Sequence, residues 1–213
     1  MITVYGRATS SNVQKVMWTI GELELPVSRI DLGGRFGGLD TAEFRAINPH
    51  GRIPGVVLEN GVRMFESNVI MRTLARNDPD RRLWPTEPQL EADAEAWSEW
   101  AQQGVVYHVT RLFWTSFRTH KDLQKPDVIA GHLVDAVKGM EIVEEHLADR
   151  QFLVADHLTI ADIVFAHSLY RYFSLPVERP HLPNIAAYYA RISERPAYAE
   201  HVMVDYSELA GAR

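Results

Sequence analysis

The spacing of apolar residues predicts short strands and helices in alternation over the first third of the chain. Residues 2–6 are mostly apolar and predict a buried strand, and residues 27–32 predict a second one. Between them, apolar residues at helical spacing predict one face of a helix that ends before Pro26: Val13, Val16, Met17, Ile20 and Leu23.

A hairpin and a further helix follow. The apolar runs 55–59 and 62–65 are separated by Asn60-Gly61, a pair typical of two-residue hairpin turns. After them, Val69, Ile70 and Leu74 recur at helical spacing, so a helix is expected to begin near Glu66-Ser67. The order strand–helix–strand, then strand–strand–helix, predicts a thioredoxin-like α/β domain.

The rest of the chain carries almost no strand pattern. Residues 90–120 predict one long helix or two, with Gly104 as a weak point, and Pro126 is expected at the first position of the next helix. We therefore predict an all-α helical-bundle domain. The segment 78–88 is rich in proline and arginine, which is typical of a linker. The predicted boundaries are 1–77 for the α/β domain, 78–88 for the linker and 89–213 for the helical domain.

A capping motif is expected to begin one of the later helices. Thr159 and Asp162 have the spacing of a capping box, and Leu158 and Ile163 have the spacing of a hydrophobic staple. We expect a structural role for these four residues.

Composition excludes several classes of function. The net charge is −6 and no basic run occurs, which argues against nucleic-acid binding. The first residues do not resemble a signal peptide, and no apolar run approaches the length that crosses a bilayer, so a soluble, cytoplasmic protein without membrane contact is expected. The chain has no cysteine, which removes protein thiol chemistry, and its nine histidines form no ligand pair, so no metal is expected.

The stretch from Asn48 to Asn68 carries the first candidate chemistry. Pro54 directly before a strand leaves the N–H and C=O of Ile53 at an edge, where they could pair with an extended peptide, especially if the Ile53–Pro54 bond is cis. Glu66 and Ser67 would place an acceptor and free N–H groups at a helix N-terminus, which suits the ammonium and carboxylate of an amino acid. The alternative is a proline-stabilised turn followed by a capped helix.

A cluster of hydroxyl groups precedes the first predicted helix. Thr9, Ser10 and Ser11 could act as ordinary N-caps. Alternatively, one of these hydroxyls could donate a hydrogen bond to the thiolate of a bound thiol, with help from the helix dipole.

These two segments resemble a known family. The pattern Asn48-Pro49-x-Gly51-x-Ile53-Pro54, followed by Glu66-Ser67-Asn68-x-Ile70, resembles the glutathione-binding segment of cytosolic glutathione S-transferases. The resemblance implies that glutathione is the co-substrate. It also implies that Ile53, beside Pro54, pairs with the cysteinyl backbone of glutathione, that Glu66 and Ser67 hold the γ-glutamyl end, and that Arg52 lies near the glycyl carboxylate.

The stretch from Ser10 to Val16 is similar to the start of the first helix in bacterial serine-type, theta-, delta-, zeta- and nu-like members. The resemblance places Ser10 at the catalytic hydroxyl and Asn12 at the auxiliary asparagine of the nu-like members. Ser11 and Thr9 remain competitors for the thiol contact, whereas Tyr5 lies within a strand and is expected in the core.

The resemblance implies a transferase in which the glutathione thiolate attacks a small hydrophobic electrophile, with peroxide reduction as a variant. Tyr107, Arg111 and Trp114 are candidates for the electrophile pocket, and a homodimer is implied. A non-catalytic ligand carrier or stress-interaction protein on the same fold is the alternative. A zeta-like isomerase is a third hypothesis, but Asn12 stands where that class carries cysteine.

Overall fold

The computed structural model describes residues 1–212. Over these residues the chain forms four strands and ten α-helices. The strands are β1 (Ile2–Tyr5), β2 (Val27–Ile30), β3 (Gly55–Val57) and β4 (Arg63–Phe65). The helices are α1 (Ser11–Glu22), α2 (Ala42–Arg45), α3 (Ser67–Asn77), α4 (Pro88–Ala101), α5 (Tyr107–Phe113), α6 (Pro126–His146), α7 (Ile160–Ala166), α8 (Leu169–Ser174), α9 (Pro183–Ser193) and α10 (Pro196–His201).

The four strands form one mixed sheet in the order β2-β1-β3-β4. β1 pairs in parallel with β2, and β3 pairs antiparallel with both β1 and β4. The predicted hairpin is present: Leu58 N–H donates to the Val62 carbonyl at 2.9 Å across the Asn60-Gly61 turn. Both of its strands are shorter than predicted, because the Asn60 side chain accepts the Val62 N–H and the pairing ends before the turn.

The chain divides into two compact units. The first contains residues 1–84 together with 196–204, and the second contains residues 85–195 together with 205–213. The α/β sheet lies wholly in the first unit and α4 to α9 lie in the second, which gives the predicted thioredoxin-like and all-helical architectures. The sequence pattern did not predict that α10 joins the first unit, where Tyr198 packs edge-on against Trp18 of α1 at 4.8 Å between ring centroids.

The predicted linker segment carries specific contacts within the first unit. Arg82 Nε and Nη2 donate to the two carboxylate oxygens of Asp78 at 3.1 and 2.9 Å, and Nη2 also donates to the Leu23 carbonyl at 2.9 Å. Leu83 and Trp84 are buried. The Arg82 guanidinium lowers the pKa of the Asp78 carboxyl below its ordinary value. This part of the chain is therefore anchored at the end of α3.

The long helical segment of the second unit changes its hydrogen-bonding pattern twice. α4 continues into a π-helical stretch at Gln102–Val106, and α5 continues into another at Trp114–Arg118. Gly104, the predicted weak point, lies inside the first π stretch. Pro126 occupies the first turn of α6, as predicted.

The predicted capping box is present at the start of α7. Asp162 is fully buried, and its Oδ2 accepts the Thr159 N–H at 2.8 Å and the Thr159 hydroxyl at 3.0 Å. Its Oδ1 accepts the Leu153 N–H at 2.9 Å and the Tyr188 hydroxyl at 3.0 Å. Burial raises the pKa of Asp162, and the four hydrogen bonds oppose that effect. One carboxyl group thus joins the start of α7, the preceding loop and α9.

Candidate active site

The first helix begins at a serine whose hydroxyl does not cap it. Ser10 is the N-cap residue of α1, and its carbonyl accepts the Gln14 N–H at 2.9 Å. Its side chain makes no hydrogen bond to the helix, nor to any other group within residues 1–212. The hydroxyl is therefore available to a ligand at the positive end of a 12-residue helix.

The competing residues at this end of α1 differ from Ser10 in their surroundings. Thr9 is only 7% exposed and already has an interaction partner. Ser11 is the first residue of α1 and is half-buried. Asn12 is exposed, and its Oδ1 accepts a hydrogen bond of 3.3 Å from the Ser67 hydroxyl. Of the hydroxyl candidates, Ser10 and Ser11 remain open to a ligand.

The second segment of the site is the turn that precedes β3. The Ile53–Pro54 peptide bond is cis. The Ile53 N–H and C=O make no hydrogen bond to any of residues 1–212. A free donor and acceptor on one residue next to a strand is the arrangement that pairs with an extended peptide.

The shape of this turn is fixed by a buried asparagine and a glycine. Asn48 is 2% exposed; its Nδ2 donates to the Arg52 carbonyl at 2.6 Å and its Oδ1 accepts the His50 N–H at 3.0 Å. Gly51 has φ +60°, and a Cβ there would lie 2.9 Å from the Leu39 carbonyl oxygen. Only glycine fits this position, which explains its place in the motif.

The turn lies beside the end of β1. A Cβ at Gly6 would lie 3.1 Å from the Ile53 Cβ, so the two backbones approach closely there. Gly6 closes β1 and leads directly into the loop that carries Ser10. The fold therefore brings the Ser10 loop and the Ile53 turn together at one end of the sheet.

The third segment is the start of α3. Glu66 is its N-cap residue, is exposed, and has φ +67° and ψ 110°, a backbone conformation that residues with a Cβ rarely adopt. Ser67 is the first helical residue and is 6% exposed. Because the first amides of a helix have no partner within it, this end of α3 offers N–H groups beside the Glu66 carboxylate. That combination can bind the ammonium and carboxylate of an amino acid.

Side-chain hydrogen bonds connect α1 to α3, and sequence reasoning did not identify them. One is the Ser67–Asn12 hydrogen bond; in another, Lys15 Nζ donates to Asn68 Oδ1 at 2.7 Å. Lys15 is 1% exposed although it is charged. The sequence does not reveal that Lys15 is buried. A lysine in an amphipathic helix is usually expected at the surface.

Comparison with known proteins identifies the family. The chain is 32% identical over 208 residues to glutathione S-transferase GstB of Escherichia coli K12, an alignment that covers 97% of this chain and all of that protein. The chain belongs to the glutathione S-transferase family.

Further matches extend over both units of this transferase. Residues 9–77 match the model for the glutathione S-transferase N-terminal domain, and residues 110–196 match the model for the C-terminal domain. Glutathione S-transferase 2 of Schizosaccharomyces pombe is 29% identical over 236 aligned positions, covering 99% of this chain and 97% of that protein.

One solved structure is close over nearly the whole chain. It is the theta class glutathione S-transferase of Xanthomonas axonopodis pv. citri with glutathione bound, which is 34% identical and covers 96% of this chain and 98% of its own, with a TM-score of 0.90.

The remaining predicted site residues are divided between the two units. Arg52 is exposed beside Ile53, in the first unit. The three pocket candidates lie in the second unit: Tyr107 is exposed, Arg111 is half-buried, and Trp114 packs against a cluster that contains Phe113 and Tyr206. Within residues 1–212, no group of three or more potential metal ligands occurs and no helix is long and apolar enough to cross a membrane.

Proposed function

We propose that this transferase binds glutathione in the first unit and ionises its thiol through the Ser10 hydroxyl, so that the thiolate attacks a small hydrophobic electrophile. The observation that carries the proposal is the Ser10 hydroxyl, which stands at the N-terminus of α1 without a hydrogen-bond partner within residues 1–212. Sequence resemblance to serine-type members supports the same residue.

The binding part of the proposal uses three groups of residues. The free N–H and C=O of Ile53, which precedes Pro54, pair with the cysteinyl backbone of glutathione. Glu66 accepts from the ammonium of the γ-glutamyl end, while Ser67 and the first amides of α3 hold its carboxylate. Arg52 is exposed, and its guanidinium binds the glycyl carboxylate.

The free energy needed to lower the thiol pKa can be compared with what Ser10 and the N-terminus of α1 contribute. A thiol with a pKa of about 8.5 is only a few per cent ionised at neutral pH, and lowering that pKa by about two units requires roughly 2.7 kcal/mol. One hydrogen bond to a charged acceptor contributes about 1.5–3 kcal/mol. The N-terminus of α1 adds up to about 1–2 kcal/mol. The serine and the helix end together are sufficient.

The chemical step is a nucleophilic substitution or addition. The thiol proton leaves to solvent, and the sulfur lone pair forms a bond to the electrophilic carbon. A halide then departs with its bonding electrons, or an activated alkene accepts the electron pair and later a proton. The protein supplies ionisation and position, and the nucleophile belongs to glutathione. Tyr107, Arg111 and Trp114 are proposed to contact the electrophile, and we also propose a cytoplasmic homodimer.

The first test compares kcat/KM for glutathione and an activated aryl chloride in the wild type, Ser10→Ala and Ser11→Ala. Ser10→Ala is expected to lower kcat/KM by about 10- to 100-fold, the loss of one hydrogen bond to a charged group. Its melting temperature should stay near that of the wild type, because no capping bond is lost. A large loss in Ser11→Ala with little change in Ser10→Ala would assign the thiol to Ser11, and wild-type protein that binds glutathione without turnover of any electrophile would favour a non-catalytic carrier.

A further inference from the structure

A cavity of about 460 Å³ lies within the first unit, between α1, β2 and α10. Val13 and Met17 of α1 and Val27 of β2 give it an apolar wall. This volume falls within the range of small-molecule sites, roughly 300–1,000 Å³. The residues that line it include none of those assigned to glutathione above.

A buried polar side chain in this cavity has no partner. Gln14 lines the cavity and is 2% exposed. Its backbone N–H donates to the Ser10 carbonyl, but its side-chain amide makes no hydrogen bond to any of residues 1–212. The amide faces the cavity, where water or a ligand can form hydrogen bonds with it. The Gln14 amide is thus available to a polar ligand in the cavity.

A cation lies on the same cavity and is held in a fixed position. Arg29 Nη1 donates to the Gly6 carbonyl at 2.9 Å and pairs with Asp31. The remaining guanidinium nitrogens have no hydrogen-bond partner within the described chain. The Nε and Nη2 nitrogens of a fixed guanidinium are therefore left for an acceptor, and carboxylates match this geometry best.

The other polar residues that line the cavity are His201 and Glu200. Burial lowers the pKa of His201, so its ring is neutral near pH 7 and can donate one N–H. Glu200 also lines the cavity, but its side chain is 75% exposed and therefore stands at the solvent rim. Its charge is screened by water.

We propose that this cavity binds a small organic carboxylate with a short apolar tail. The carboxylate accepts hydrogen bonds from Arg29 and Gln14, and the tail lies along Val13, Met17 and Val27. The site is one helical turn from Ser10 on α1, yet it is separate from the residues assigned to glutathione. The proposal does not depend on the catalytic role of Ser10.

The test is calorimetric titration of the full chain with octanoate, and with 1-octanol as the uncharged probe of similar length. The wild type should bind octanoate more tightly than octanol, and saturating glutathione should leave octanoate binding unchanged. Gln14→Leu and Arg29→Gln should each weaken octanoate binding by about tenfold or more. Arg150→Gln is the matched control, because Arg150 also pairs with one neighbouring aspartate, Asp149, and is exposed.

Protein stability separates loss of the site from loss of the fold. Gln14→Leu should keep or raise the melting temperature, because the substituted amide has no hydrogen bond to lose. Three results would overturn the proposal: no octanoate binding by the wild type, equal octanoate affinity in the wild type and Gln14→Leu, or displacement of octanoate by glutathione. The last result would place the carboxylate in the glutathione site.

Discussion

The N-cap residues Thr159 and Ser10 differ in their hydrogen bonding. Thr159, at the start of α7, donates hydrogen bonds to Asp162 from its backbone N–H and its hydroxyl. The Ser10 hydroxyl, at the start of α1, makes no hydrogen bond to any of the described residues. A serine in this position commonly stabilises the helix by about 1 kcal/mol. We propose that the free hydroxyl at α1 serves a ligand.

At the same scale, Glu66 is predicted to contribute to binding and not to turnover. Glu66→Gln removes the charge that would face the γ-glutamyl ammonium, so the Kd for glutathione should rise by about tenfold or more. At saturating glutathione, kcat should remain close to the wild-type value, because the contact is made equally before and during the reaction. Calorimetry and steady-state kinetics measure the two effects.

The matched control is Glu145→Gln, an exposed glutamate in α6 of the second unit. It should leave the glutathione Kd unchanged. Equal glutathione affinity in Glu66→Gln and the wild type would remove Glu66 from the site.

At the scale of elements, the Asp162 carboxyl at the start of α7 is predicted to make a large contribution to stability. Asp162→Ala should destabilise the protein more than Thr159→Ala does. Thr159→Ala loses a cap, worth about 1 kcal/mol, whereas Asp162→Ala also leaves the buried Leu153 N–H and Tyr188 hydroxyl without their acceptor, at about 1–3 kcal/mol each. Denaturant unfolding monitored by circular dichroism measures the free energies of unfolding.

Glutathione affinity provides the control for both α7 variants, and it should match the wild type when measured well below the melting temperature. If Thr159→Ala and Asp162→Ala unfolded at the wild-type denaturant concentration, the capping network would not be stabilising.

The segment after α3 gives a prediction with a pH dependence. Arg82 lowers the pKa of Asp78 below its ordinary value of 3.8, so the native state holds the deprotonated form more strongly than the unfolded state does. The stability contributed by this pair is complete well above pH 3.8 and is lost as the pH falls from there through the lower native pKa. Asp78→Asn should therefore melt below the wild type near neutral pH, and the difference should shrink below pH 3.8.

Thermal melts of the two proteins over this pH range test the pair. Asp80→Asn is the control, because Asp80 is exposed and lies two residues away from Asp78. A difference between Asp78→Asn and the wild type that stayed constant down to the most acidic pH would exclude the Arg82 pair as its source.

On the scale of the whole molecule, the sequence was sufficient for the fold class because each unit has its own pattern. Short apolar runs on both sides of the Asn60-Gly61 turn and apolar residues at helical spacing predict the sheet and its helices, and the loss of strand patterns after Pro88 predicts the helical unit. The capping box follows from a short local motif, and the structure confirms it. The sequence left the isomer of the Ile53–Pro54 bond open, and the structure has it cis.

The contacts that the sequence did not predict are those between segments distant in the chain. Lys15 meets Asn68, and Tyr198 of α10 meets Trp18 of α1, across separations that no local periodicity reports. The Gln14 amide looks like an ordinary helix-surface group in the sequence, and only its burial marks it as a candidate ligand contact. Local patterns therefore specify elements, while long-range packing decides which polar groups are left without partners.

The most direct test of the central claim is an ultraviolet pH titration of glutathione bound to the wild type and to Ser10→Ala, following thiolate absorbance. The wild type should form thiolate about one to two pH units below free glutathione, and Ser10→Ala should lose most of that shift. An equally lowered thiol pKa in both proteins would contradict the assignment of Ser10. An unshifted thiol in the wild type would contradict thiolate activation altogether.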